Sequence, residues 1–345
     1  MNASDIAKIA GVSRSTVSRV INNYGNVTEE TRQRVLEIIK EYNYVPHASA
    51  QMLAGKKSRI IGLFIIDTKD DNHGNKMCTS SYFSPFTSAV IDAANKQRYN
   101  VLSTIVNEQQ DFNNVRELFY NKTISAGIFI GGKNSEPSII EIIESGYNVA
   151  VIEQEVSNEQ EPFSRSIVVN SDSFGGAYEA TKYLIQLGHI AIAHITGDLE
   201  QFTAISRVEG YKKALAEGGI PLRNNMIVKG NYTEESGYKA VKKLLLKETP
   251  TAIFIANDSM CLGAMRAIEE LGLKIPEDIS LVGFDDIELA RYLQPALTTV
   301  RIPLLNMAFM ATNNLIKANE EEINFYANYK IPVELIIRDS CRKMK

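Results

Sequence analysis

The sequence predicts two unlike architectures in one chain: a small all-α head and a large α/β body of doubly wound parallel sheets. Three observations carry this reading. Residues 1–46 hold short apolar stripes at helical spacing, interrupted by a glycine turn. From Ile60 onward, short apolar runs alternate with helical patterns, as parallel strands with crossover helices require. The chain has 345 residues, more than one ordinary compact domain, so two or three are expected.

The head opens on SDIAKIAGVSRSTVSRVINN, Ser4 to Asn23. Ile6, Ile9 and Ala10 recur at helical spacing, Gly11-Val12-Ser13 interrupts them, and Val17, Val20 and Ile21 resume the pattern. Gly11 can take the left-handed conformation of a helix end, and Ser13 can cap the next helix. Arg14, Ser15, Thr16, Ser18, Arg19 and Asn22 then point away from the apolar face. Such hydroxyls and amides reach phosphates and base edges, and arginine binds guanine in a bidentate manner. A helix-turn-helix is the natural reading; the rival is an amphipathic three-helix unit with no nucleic-acid role. Thr28 before Glu29 and Glu30 reads as an N-cap with acids suited to the helix dipole. Val35, Leu36 and Ile39 give this third helix its expected buried face. His47 to Gly55 is helix-prone but too short to stand alone.

In the body, candidate strands cover residues 60–66, 100–106, 127–131, 149–152, 166–169, 190–195, 251–256 and 279–284. Helices are expected near 84–98, 111–121, 136–145, 173–187, 205–217, 234–247, 259–271 and 304–318. Two α/β units broken near 153–166 would make two lobes. The helix at 304–318 and a strand at 331–338 imply that the chain crosses back between them. Ligands of such sheets bind beyond the carboxyl ends of the strands. That rule selects Tyr82-Phe83, Glu153, Arg207, Tyr232, Asn257-Asp258 and Asp285-Asp286. Aromatic faces stack on the C–H surface of a sugar while polar groups bind its hydroxyls. Each choice has a plainer alternative: Asp258 and Asp286 as helix caps, Tyr82 or Phe83 as core, Glu153 as a solvated carboxylate.

The head carries a closer likeness. AGVSRSTVSRVINN, VTEETRQRV and YNYVPHASAQMLAGKKS, in that order and spacing, resemble the DNA-binding domain and hinge of the LacI/GalR repressor family. The resemblance implies that Arg14, Ser15 and Arg19 read bases. It implies phosphate contacts for Ser13, Thr16, Asn22 and Thr28, and a minor-groove wedge for Leu53. His47 and Ala48 depart from the family pattern of Asn and a larger or basic residue, so phosphate anchoring at the hinge is expected to be weaker or pH-dependent. The body resembles the type I periplasmic-binding-protein fold used by the same family as its effector domain. By that likeness Tyr82, Phe83, Arg207 in SRVEGY, Tyr232 in GNYTEESG, Asn257 in ANDSMCLGAMRAI and Asp285 in GFDDIELARYLQPALTTV match effector-contacting positions. The implied organisation is a helix-turn-helix domain over 1–46, a hinge helix and linker over 47–59, and an effector domain over 60–345. Its N-lobe would take 60–158 and 297–322, its C-lobe 163–292 and 327–345.

Composition agrees with one end touching DNA. Residues 1–59 hold nine Lys/Arg against five acids, while the whole chain holds 37 against 41. No charged-then-apolar leader precedes the head, and the longest apolar stretch, Ile60 to Ile66, is too short to span a bilayer. Cys78, Cys261 and Cys341 show no paired spacing, which suits a reducing cytoplasm and no zinc framework. Gly127 to Asn134, GIFIGGKN, imitates a phosphate-binding loop but ends in Asn and is strand-like throughout, so ATP is not expected. Asp70-Asp71-Asn72-His73 with Cys78 matches no metal-site spacing. The loop over 68–81 is longer than the family's usual one. The four histidines form no nucleophile–base set, His189 reads as structural, and neither catalysis nor a cofactor is expected.

The expected protein is a cytoplasmic transcriptional regulator, a repressor, acting as a homodimer or dimer of dimers on a pseudo-palindromic operator. Its operator affinity would respond to a small molecule between the lobes. A sugar or glycoside suits the residues; a purine, or a protein co-regulator on the N-terminal lobe, stays open. The rival readings are a solute-binding protein of a sugar transporter and a sugar- or nucleotide-processing enzyme.

Overall fold

The computed structural model describes residues 1–21, 24–44, 58–67, 80–155, 166–323 and 326–344. The chain divides into two compact units, Met1–Ser58 and Arg59–Lys345.

The first unit holds three helices, α1 (Ala3–Ala10), α2 (Arg14–Ile21) and α3 (Glu29–Glu41). Asn2 and Asp5 form a reciprocal capping box at the start of α1, and Gly11, at φ +65°, closes it in the left-handed conformation. Ile6, Ala7, Ala10, Val17, Val20, Val35 and Tyr44 make the core. Ile9 and Leu36, expected in that core, are instead 46% and 44% exposed. On a 100° per residue wheel, each falls outside the arc held by its buried neighbours.

The second unit contains two parallel sheets. The six-stranded sheet has β1 (Ile60–Ile66), β2 (Asn100–Val106), β3 (Ala126–Gly131), β4 (Asn148–Ile152) and β5 (Ser166–Ser171). Its helices are α4 (Phe83–Lys96), α5 (Asp111–Tyr120) and α6 (Pro137–Glu144). The interior strands read as continuous apolar runs because helices cover both faces. Phe86, Val90 and Leu315 fill one face; Phe64, Phe112, Phe119 and Phe129 fill the other.

The chain then passes into α7 (Ser173–Gln186), β6 (Ile192–Thr196), α8 (Phe202–Glu217), β7 (Ile227–Lys229), α9 (Glu234–Leu245), β8 (Ala252–Ile255), α10 (Asp258–Glu270) and β9 (Ser280–Val282). These four strands form the second sheet in the order β7-β6-β8-β9. After β10 (Thr299–Arg301), α11 (Leu304–Glu321) packs against α4, and β11 (Ala327–Ile331) joins the edge of the first sheet. Finally β12 (Glu334–Ile336) pairs with β10 in an antiparallel ladder.

Three expectations change. Residues 297–302, expected in the N-lobe, run beside the second sheet, where Thr298 bridges Val282 and Arg301 bridges Asp285. Ser166–Ser171, expected in the C-lobe, form a strand of the first sheet, where Ser166–Val169 pair in register with Val149–Ile152 of β4, so the boundary falls after Ser171. The strand expected over 331–338 is only β12, Glu334–Ile336; Pro332, which has no N–H to donate, separates it from β11, an unexpected strand that pairs with β5 in the first sheet. Residues 327–331, expected in the C-lobe, therefore belong to the first lobe. The chain crosses between lobes three times, near Ser171–Asp172, Ile302–Pro303 and Ile331–Val333. Among the described residues no helix is long and apolar enough to cross a membrane.

Candidate functional site

In the head, the sequence builds a short polar helix on an apolar footing. Ser13 sits at the N-terminus of α2, where its Oγ accepts from the Thr16 N–H at 3.1 Å. The same oxygen lies 2.7 Å from Ser15 Oγ and 2.8 Å from Thr16 Oγ1, so three hydroxyls gather at one helix start. Val17 and Val20 hold the underside in the core, while Arg14, Ser15, Ser18 and Arg19 remain exposed. Thr28 caps α3 by accepting from the Thr31 N–H at 3.4 Å. Arg32 donates to the Tyr24 carbonyl at 2.7 Å and so ties the loop after α2 to α3. Asn22, Leu53, His47 and Ala48 lie outside the described residues, as do residues 68–79.

In the second unit, a cavity of about 520 Å³ opens at the carboxyl ends of both sheets. Seven of the nine residues selected from the sequence line it: Tyr82, Phe83, Glu153, Arg207, Tyr232, Asn257 and Asp285. Asp258 and Asp286 do not. Asp258 is buried behind the wall, accepting from Thr299 Oγ1 at 2.6 Å and from the Ile287 N–H at 2.9 Å. Asp286 pairs with Arg301 at 2.7 Å and with Arg338. Neither caps a helix: Asn257 caps α10, accepting from the Met260 N–H at 3.0 Å, and its amide donates to the Tyr232 carbonyl at 3.1 Å.

Arg207 is the buried cation of the site. Its guanidinium donates to the Ala256 carbonyl and reaches Ser173 Oγ at 3.4 Å. It stands 3.9 Å from Asp285 Oδ1. Glu153 faces it from the first lobe. Glu153 Oε1 accepts from the Ser171 N–H at 3.2 Å, while Oε2 is buried without a partner. Burial pushes the Glu153 carboxyl up to about 7, against the opposing pull of Ser171 and Arg207. Burial likewise lifts Asp285 well above the usual carboxylate range, opposed by Arg207 and reinforced by Asp258 and Glu153. The alternative of a solvated Glu153 therefore fails: the strand end turns it inward at φ +57°.

The aromatic residues are set in place by close backbone approach. Tyr82 and Phe83 meet edge to face at 5.3 Å. The Tyr232 hydroxyl lies 3.0 Å from Thr203 Oγ1, and its ring covers Gly197, where an added Cβ would stand 2.0 Å from Cζ. Asp67, Ser80, Gln201, Thr203 and Ile287 also line the cavity and were not selected from sequence. Two signals were available: Asp67 directly follows the first strand, and Thr203 lies four residues before Arg207 on the same helical face.

A chain with a helix-turn-helix head and a two-lobed α/β body matches known proteins over nearly its whole length. Residues 3–47 match the model of bacterial regulatory proteins of the lacI family, and residues 181–341 match a periplasmic binding protein-like domain. The HTH-type transcriptional repressor PurR of Histophilus somni is 33% identical over 343 residues, covering 99% of this chain and 98% of its own. The chain belongs to the LacI family of transcriptional regulators. Other family members include the probable repressor ExuR of Bacillus subtilis, 34% identical over 99% of this chain and 98% of its own. Catabolite control protein A of Priestia megaterium is 33% identical over 98% of each chain. Among solved structures, the Lac repressor dimer bound to operator and the anti-inducer ONPF superposes with a TM-score of 0.81 at 28% identity, covering 99% of both chains. The transcriptional regulator CelR in complex with cellobiose gives 0.76 at 25% identity, also over 99% of both. As a LacI-family member the protein is a DNA-binding transcriptional repressor, and these relatives are regulators rather than enzymes.

Proposed function

We propose that this repressor binds a pseudo-palindromic operator as a homodimer, in the cytoplasm where the chromosome lies, and that a sugar or glycoside in the interlobe cavity sets its operator affinity. Arg14, Ser15 and Arg19 are the base readers, with Ser13, Thr16, Asn22 and Thr28 on phosphates and Leu53 in the minor groove. The exposed row on α2 supports the first part, since a capped, apolar-footed helix presents arginines and hydroxyls outward. The ligand assignment rests on one observation: Glu153 and Asp285, from different lobes, face the same cavity, and Glu153 brings an unpartnered acceptor oxygen. A neutral ligand rich in hydroxyl groups can donate to or accept from both carboxyl groups in either protonation state, whereas an anion would find only Arg207, which already faces Asp285 at 3.9 Å. Tyr82, Phe83 and Tyr232 supply the ring faces, and Asn257 an amide. A cavity of this size lies within the range of small-molecule sites, roughly 300–1,000 Å³. Ligand binding shifts a population between two lobe arrangements that differ in operator affinity.

A thermal-shift screen of the purified chain against neutral sugars, glycosides, sugar phosphates and purines tests this, followed by operator titration with each hit. Stabilisation by neutral sugars with a changed operator affinity is expected. Stabilisation confined to purines or phosphates would overturn the sugar assignment.

A further inference from the structure

The segment Gly127 to Asn134, which imitates a phosphate-binding loop, does something else here. Gly131 and Gly132, which line the cavity, take φ +86° and +77° and turn the chain sharply past the end of β3, and Lys133 and Asn134 follow them directly. Facing them is the turn between β6 and α8. Lys133 Nζ lies 3.0 Å from Glu200 Oε2, and the Asn134 N–H donates to the Glu200 carbonyl at 3.2 Å. One side of this contact belongs to the first lobe and the other to the second.

Both halves are braced on their own lobes. Gln154 donates to the Gly131 carbonyl at 3.0 Å and accepts from the Ser135 N–H at 3.2 Å. Asn134 Oδ1 accepts from the Glu155 N–H at 2.8 Å. Across the cleft, Asp198 Oδ1 accepts from the Glu200 N–H at 3.1 Å, and the Asp198 carbonyl accepts from the Gln201 N–H at 2.9 Å. A tie between two braced loops moves the lobes rather than the loops. These same loops also wall the cavity, through Gly131 and Gly132 on one side and Gln201 on the other.

We propose that Lys133 and Glu200 form a clasp across the mouth of the cavity, which holds the lobes together in the ligand-free protein and slows ligand exit. The proposal rests on the reading of that cavity as the effector site, but its test needs no ligand. Both side chains are about half exposed, 53% and 54%, so the pair is weak and salt-sensitive. A weak tie suits a device that must release: its loss changes the open-to-closed ratio by about two- to fivefold, not by orders of magnitude.

The test uses the full chain, with Cys78→Ser and spin labels at Tyr120→Cys and Leu246→Cys, both exposed and on different lobes. Distance distributions are measured by electron double resonance, without ligand, for the parent, Lys133→Glu, Glu200→Lys and the double reversal. Each single reversal is expected to enlarge the long-distance population about two- to fivefold, and the double reversal to restore the parent distribution. High salt should shift the parent in the same direction as a single reversal. Identical distributions in all four proteins would overturn the clasp, as would a double reversal that stays open. Circular dichroism melts of each variant separate opening from unfolding: a single reversal that broadens distances only by unfolding, with no rescue in the double, also counts against it. A sugar screen that finds no ligand leaves these outcomes unaffected.

Discussion

The guanidinium of Arg207 lies 3.8 Å over the ring of Phe284, one residue before Asp285 in the chain. A planar cation stacked on a ring, with its edge on the Ala256 carbonyl, is held in one orientation before any ligand arrives. Phe284 thus fixes both members of the Arg207–Asp285 pair, one through its face and one through its backbone.

Lysine cannot replace that geometry. Arg207→Lys keeps the charge but loses the fork and the stack, and should weaken the ligand by roughly 1.5–3 kcal/mol, about ten- to a hundredfold. Ligand-free operator affinity should stay close to the parent, because nothing in the head is touched. Calorimetry with the identified effector, paired with an operator titration, checks both; undiminished ligand affinity would place the effector elsewhere.

Glu153 makes stability depend on pH in a stated direction. Its folded pKa of about 7 lies above its ordinary value of 4.5, so the folded state holds the proton more tightly than the unfolded chain. Its contribution is fully present below about 4.5 and is lost as pH rises through 7, amounting to about 3 kcal/mol at most. Glu153→Gln keeps an acceptor for Ser171 and removes the titration. Urea unfolding from pH 5 to 8 should show a flatter decline in the variant and higher stability than the parent at pH 8. Asp258, also raised to about 7 by burial, leaves a residual slope. Parallel curves for the two proteins would refute the assignment.

Gly197→Ala tests the seat of Tyr232. The new methyl group would collide with the ring at 2.0 Å, displacing it and costing about 1–3 kcal/mol of stability. The variant should bind ligand less well while its operator affinity without ligand persists. A crystal structure showing the ring unmoved would contradict this.

In the head, Arg19→Ala should cost about 1–3 kcal/mol on the cognate operator and relax preference at one base per half-site. Thr16→Ala should weaken cognate and random DNA alike, since Thr16 Oγ1 sits in the hydroxyl cluster at the helix start. Competition titrations on both DNAs distinguish the two roles; equal losses everywhere for both variants would abolish the division.

What could be read from the sequence was what local pattern carries. The eight long body helices follow from apolar spacing, and the cavity residues follow from the rule that ligands sit past strand ends. Strands as short as Ile227–Lys229 and Thr299–Arg301 carry too few residues for a period to show. β11 was missed for another reason: as an edge strand it is half exposed and only weakly apolar. The lobe boundary was misplaced because pairing of Ser166–Val169 with β4 is a tertiary fact. Glu153 was ambiguous on similar grounds, since its partner Ser171 lies eighteen residues away. Lys133 and Glu200 carry no local signal at all.

The three crossings carry a mechanical consequence. Glu153 is bonded to Ser171 at the first crossing. Asp285 is bonded to the second, its N–H donating to the Val300 carbonyl at 2.7 Å and its own carbonyl accepting from Ile302 at 3.4 Å. Asp172 donates through its N–H to the Ile331 carbonyl at 2.8 Å, binding the first crossing to the third. Both cavity carboxylates are therefore mounted on the pivot, not on the swinging arms. If the lobes turn about these crossings, as the proposed function requires, a ligand held by the two carboxyl groups acts close to the axis, where leverage, more than contact area, sets the size of the movement.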